Sequence, residues 1–350
     1  MRRYVFVIAA WCFVLIASVA SSAHEVRPAL VRITQTDAQH YDVLWKQPVN
    51  GDVAVHLAPR LSSGVLRAPP SISSVSPSYA IRIWKGIPTS RAPLDGQVLS
   101  VEGLEHTITD VLVSVNLTNG PSIEHVLSPR KPSLTLDLHA HSAPAASGYL
   151  RLGIVHILTG ADHLLFVFGL LLLVGGSWGL VRTITAFTVA HSITLAATAL
   201  GWVHVRSSVV EALVALSIVI LAVELVRKAR GEGGMTSRYP WVIAFAFGLL
   251  HGCAFAGALA EVGLPQQHLP LALFLFNVGV EIGQLLFIAA ALLVIHLVQR
   301  AANALRLANA GFLRSPQQWP RLTAAYVMGA FAANWFFERL ITGLSGASLA

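Results

Sequence analysis

The sequence predicts an α-helical polytopic membrane bundle of six spans, preceded by a small extracytoplasmic β-sandwich-like domain. Three observations predict it. Of 350 residues, 55% are hydrophobic and 12% charged, with a mean hydropathy of +0.65, whereas a soluble globular chain carries about a quarter charged residues. After residue 148 the apolar residues form segments long enough to cross about 30 Å of hydrocarbon at about 1.5 Å per residue. Before residue 139 the pattern changes to short runs of alternating polarity, punctuated by Gly, Pro, Ser and Asn.

Residues 1–23 read as an export signal. Arg2 and Arg3 open it, an apolar run follows from Tyr4 to about Ala17, and Ser21 and Ala23 supply the small residues of a cleavage site. The run falls short of the ~20 apolar residues an anchor helix needs. Cleavage leaves His24 as the mature N-terminus, and with Arg2 and Arg3 gone the formal charge falls from +7 to +5. Cys12 leaves with the signal and Cys253 remains alone, so the mature chain has no intrachain disulfide.

Residues 24–138 are expected to form the outer β-rich domain. The segments 41–45, 79–84 and 110–115 alternate with period two and are separated by turn residues, which is the strand signal of a small sandwich. Residues 139–148, rich in Ala and Ser, read as a linker.

Within residues 149–350 the six spans are placed at 150–174, 181–203, 208–226, 241–261, 270–298 and 321–343. With the β domain outside, the loops expected in the cytoplasm hold Arg182, then Arg227, Lys228, Arg230 and Arg238, then Arg300, Arg306 and Arg314, with Arg321 at the last boundary. The outer loops offer Arg206, and Arg151 and Arg339 lie toward outer ends of spans. This is the positive-inside bias. It agrees with an N-terminal domain on the outer side, and the expected location is an inner membrane with that domain in the periplasm. The basic residues are spread over loops rather than gathered in one patch, which argues against nucleic-acid binding.

Ionisable side chains within spans cost at least about 2.5–3.5 kcal/mol each on insertion scales and mark ion paths or sites. The first span carries His156, Asp162 and His163. On a regular helix the two histidines return to one face about 10 Å apart, too far to share an ion. They either line a path or are drawn together by a bend at Gly160. Asp162 offers an oxygen ligand or an acceptor that sets the imidazole tautomer. His191 and His251 add imidazoles from two further spans, and Asn277, Glu281 and Gln284 share one face of the fifth at i, i+4 and i+7. The structural alternative for each is a buried hydrogen bond that joins two helices. Imidazole suits nickel, cobalt, copper and zinc, whereas magnesium and calcium prefer oxygen shells. Weaker candidates are His24, with its free amino group, and Asp137, His139 and His141, which an extended linker points one way.

The runs His156-x5-Asp162-His163, Phe187-Thr188-x2-His191-Ser192-x-Thr194-Leu195, His251-Gly252 and Phe276-Asn277-Val278-Gly279-Val280-Glu281-x-Gly283-Gln284 together resemble the HupE/UreJ family of bacterial membrane proteins. The resemblance covers the membrane half in the same order. It implies a nickel permease or an accessory protein linked to hydrogenase and urease, with His156, Asp162, His163 and His251 as metal ligands. The nickel-permease branch typically has a second histidine soon after the His-Gly pair, where this chain has Cys253-Ala254-Phe255-Ala256, and it tends to lack so large an outer domain.

The expected function is that of a membrane permease or accessory protein handling a divalent transition metal, nickel foremost and cobalt, copper or zinc next. Its partners would be the lipid bilayer, the ion, and a periplasmic or metalloenzyme-maturation protein. An intramembrane zinc-type metallohydrolase is the first alternative, although no HExxH pair is present. A non-catalytic assembly or sensing protein is the second.

Overall fold

The computed structural model describes residues 28–50, 53–54, 57–75, 79–118, 123–138, 146–203, 205, 207–232, 238–262, 269–304 and 318–347. The expected export signal, His24, His139 and His141 lie outside the described residues.

The N-terminal region is β-rich. Its strands are β1 (Ala29–Gln35), β2 (His40–Asn50), β3 (Val53–Ala54), β4 (Ala58–Leu61), β5 (Ile72–Val75), β6 (Tyr79–Pro88), β7 (Val98–Glu102), β8 (Val111–Asn116), β9 (Ile123–Leu127) and β10 (Ser133–Thr135). A seven-stranded sheet runs β5-β6-β2-β1-β8-β9, with β3 on β2, and a three-stranded sheet runs β10-β7-β4. The pairings are antiparallel except for β1 with β8, which sets Val31 beside Val113 and Ile33 beside Val115. The alternating runs explain this register: Val31, Ile33, Tyr41, Val43 and Trp45 send one face of the large sheet into a core that also takes Leu61, Leu99 and Val101 of the small sheet.

Among the described residues seven helices follow: α1 (Ala146–Thr159), α2 (Ala161–Leu173), α3 (Ser177–Ala199), α4 (Ser207–Ala229), α5 (Pro240–Val262), α6 (Leu269–Ala304) and α7 (Gln318–Ala347). Among the described residues, three helical stretches are long and apolar enough to cross a membrane, namely Ser177–Ala199, Val209–Ala229 and Leu269–Leu297. The pair α1 and α2 meets the same measure taken together, bent by 74° at the break, and α5 holds a shorter apolar stretch, Pro240–Ala254. The first expected span is therefore two helices and not one regular helix.

The described residues divide into two compact units. One comprises Val26–Leu152 with Ala258–Phe276, the other Gly153–Gly257 with Asn277–Ala350. In the first, the opening turns of α1 bond to the sheet: Tyr149 donates its hydroxyl to Glu124 Oε2 at 2.6 Å, and Arg151 pairs with Asp110 at 2.7 Å. In the second, Leu165, Phe166 and Leu170 of α2 pack with Ile218, Leu221 and Leu225 of α4 and with Ala325, Met328 and Ala332 of α7. Small residues set the helix spacing, as in membrane bundles generally. A Cβ on Gly248 would stand 2.4 Å from the carbonyl oxygen of Phe187, and one on Gly252 would stand 2.3 Å from that of His191. Gly248 and Gly252, one turn apart, thus bring α5 against α3.

Candidate metal centre

The centre begins at the break between α1 and α2. Gly160 is extended (φ −78°, ψ 101°) and interrupts the helix. A Cβ there would lie 2.7 Å from His163 Nδ1 and 3.0 Å from the carbonyl oxygen of His156, so glycine lets the His163 ring fold back over the break. The His156 and His163 ring centroids then stand 4.7 Å apart. Of the two arrangements open to this motif, the bend is the one adopted.

Asp162 orients His163. Its Oδ1 accepts the backbone N–H of His163 at 2.9 Å and lies 3.0 Å from the imidazole Nδ1. With Nδ1–H donating to that carboxylate, the tautomer places the lone pair on Nε2, the arrangement that favours a metal-binding imidazole.

His251 is brought in by the close approach of α5 to α3. Its ring centroid lies 5.0 Å from that of His163. Ser217 of α4 donates its hydroxyl to the carbonyl of Val214 at 2.6 Å and stands 3.5 Å from His251 Nε2. Because that hydroxyl hydrogen is already used, the serine oxygen is an acceptor toward Nε2–H, leaving the lone pair on Nδ1, which has no hydrogen-bond partner among the described residues. Asp162, His163 and His251 each offer a ligand atom, all within 4.8 Å of one another. Donors around an ion with bonds of about 2.1 Å stand about 3–3.5 Å apart, so closure takes side-chain shifts on the order of 1 Å.

His191 of α3 is fully buried, with neither ring nitrogen hydrogen-bonded among the described residues. Its ring centroid lies 6.3 Å from that of His156 and 6.2 Å from that of His163. Phe166 and Phe187 close one side of the cluster, 5.3 Å and 5.2 Å from the His251 centroid. Four imidazoles and one carboxylate therefore converge in an apolar surround, one donor more than the four ligands of a tetrahedral ion.

A family model described as "HupE / UreJ protein" matches residues 133–339. The chain belongs to the HupE/UreJ family. Membership supports a multi-pass membrane protein and implies the handling of a transition metal such as nickel or cobalt. No curated protein and no solved structure matches the chain.

In this HupE/UreJ protein the remaining candidates lie on α6 and before α1. Glu281 and Gln284 of α6 bond to α3, where Thr185 donates to Glu281 Oε1 at 2.7 Å and Thr188 to Gln284 Oε1 at 3.1 Å. Glu281 is not among the groups placed with His163 and His251, and Asn277 is buried on the same helix. Asp137 is exposed. Sequence reasoning gave no role to Ser217, Thr185 or Thr188. Thr188 carries a signal in retrospect, lying three residues before His191 and so near its face of the helix, whereas Ser217 in an apolar run carries none.

Proposed function

We propose that this protein is a six-span permease or accessory protein of the bacterial inner membrane, with its β-rich domain in the periplasm. In this reading it binds a divalent transition metal, nickel first, at Asp162, His163 and His251. The observation that carries it is the convergence of those three ligand atoms from two helices separated in sequence, with Asp162 oriented toward His163 Nδ1 and Ser217 toward His251 Nε2. Borderline nitrogen donors with one carboxylate oxygen match nickel, cobalt or zinc and disfavour magnesium and calcium. His156 and His191 supply further nitrogens, so the ion exchanges ligands instead of being held in a closed four-ligand cage. Asp137, with His24, His139 and His141, collects the ion on the outer side. Movement through the membrane would be driven by gradient or potential, the latter supplying about 2.3 kcal/mol per charge per 100 mV.

The test is the metal content of purified protein and nickel uptake into proteoliposomes, for wild type and for His163→Ala. The wild type is expected to retain nickel and take it up, and the variant to lose both. Equal metal content in the two proteins would overturn the assignment of the centre.

A further inference from the structure

We propose a second cation station, built of oxygen, between α3 and α6. It rests on the transport reading above and deepens it by assigning the step after the imidazole cluster. Thr188 and Thr185 lie three and six residues before His191 on α3, about 4.5 Å and about 9 Å along the axis and about 60° and 120° around it. Each faces a polar group of α6: Thr188 bonds Gln284, and Thr185 bonds Glu281. A polar column therefore leads from a fully buried imidazole to a carboxylate that is only partly buried.

Most buried polar atoms are paired, and this ladder keeps one that its own bonds do not use. Gln284 is 1% exposed, and its Nε2 has no hydrogen-bond partner among the described residues. Thr188 Oγ1 also lies 3.3 Å from the carbonyl oxygen of Ile184. If the threonine hydrogen goes to that carbonyl, the amide turns by 180° and donates Nε2–H to Thr188 Oγ1. The amide oxygen is then the unpaired atom. In either orientation one end of Gln284 lacks a partner, and in the second that end is a neutral oxygen ligand one turn from Glu281. His191, with two unpaired nitrogens, is the group that would hand the ion over.

The chemistry of the two places differs in a way that suits a path. Imidazole binds a borderline ion tightly, whereas one carboxylate with amide and hydroxyl oxygens holds it weakly and exchanges it quickly. Conduction needs such a step of weaker binding, or the ion stays in the first site. The oxygen station is expected to accept magnesium as well, which the imidazole cluster is not.

The experiment titrates the full-length purified protein with nickel alone, with and without millimolar magnesium. Wild type should show a tight class of binding and a weaker one, with magnesium competing only for the weaker. Glu281→Gln should abolish the weak class, keep the tight class within about twofold and slow nickel uptake into liposomes at least tenfold. Thr185→Val, close to isosteric, should weaken the second class several-fold and leave the first intact. A wild type with a tight class alone, or a Glu281→Gln protein with unchanged uptake, overturns the second station and leaves the centre standing. Loss of the tight class in both variants overturns it as well, because the groups would then form one site. A wild type without the tight class instead overturns the proposed function.

Discussion

The β-rich region and the helical region both bury polar side chains and both leave some of their atoms without a hydrogen-bond partner among the described residues, but to different degrees. Among the strands, Asp110 pairs with Arg151, Glu124 accepts the Tyr149 hydroxyl, and the Trp45 indole donates to Gln47 at 3.0 Å. Among the helices, His191 is equally buried and neither of its nitrogens is hydrogen-bonded, while His251 has one ring nitrogen engaged at 3.5 Å and the other unpaired among the described residues. A buried polar group that bonds to its own chain contributes to the fold. One that does not costs the fold its desolvation, and in the proposed reading a bound ion offsets that cost among the helices. The carboxylates of Asp110 and Glu124 keep one oxygen bonded and one unpaired among the described residues, whereas His191 has neither nitrogen bonded, and in the proposed reading the helices keep such groups for an ion.

Substitutions can break or sharpen this contrast. The largest effect is expected at His163: replacement by Ala should weaken nickel binding more than about 100-fold, read by equilibrium titration, while leaving the thermal transition of the protein nearly unchanged. A large fall in melting temperature would instead make His163 a structural residue. Gly252→Ala comes next. Its new methyl would meet Thr194 Oγ1 at 2.2 Å and the His191 carbonyl oxygen at 2.3 Å, so α5 must move off α3. A loss of about 2–3 kcal/mol in stability is expected, with the centre weakened as well.

The third change lies in the β region and should show the reverse profile. Arg151→Ala leaves the Asp110 carboxylate, whose side chain is 1% exposed, without its cation. Stability of that unit should fall by about 2 kcal/mol, below the range for fully buried pairs because the arginine is 43% exposed. Nickel affinity should not change. Ser217→Ala removes the acceptor behind His251 and should weaken nickel binding about tenfold with little effect on folding.

The smallest effect is one of pH. Burial pushes the Asp110 carboxyl above its ordinary value, with the Arg151 guanidinium opposing. An acid with a raised pKa in the folded state contributes stability that is fully present below its unfolded pKa, about 3.9, and is lost as pH rises through the raised value. Hydrogen exchange at β8 should therefore show slightly greater protection toward pH 4 than at pH 7, and Asp110→Asn should flatten that slope.

Much of this was legible before any coordinates. The alternating runs 41–45, 79–84 and 110–115 fall in β2, β6 and β8, because period-two polarity directly encodes a sheet with one buried face. His156, Asp162, His163, His191 and His251 stood out because charge or imidazole in an apolar run is costly. Glu281 and Gln284 both bond to α3, and the sequence does not say that their side of α6 meets Thr185 and Thr188. Helical periodicity orders residues around one axis and is silent about which neighbour that axis meets.

By itself, then, the sequence determined the division into a β-rich region and an apolar helical one, the family, and the inventory of groups able to bind a metal. Only the tertiary structure decided which of them meet. The break at Gly160 brings His156 and His163 to 4.7 Å, where a continuous helix would hold them about two turns apart. The approach of Gly248 and Gly252 to α3 sets His251 beside them. Both depend on the absence of a Cβ where backbones bend or touch, and a missing atom shows its purpose only when its neighbours are in place.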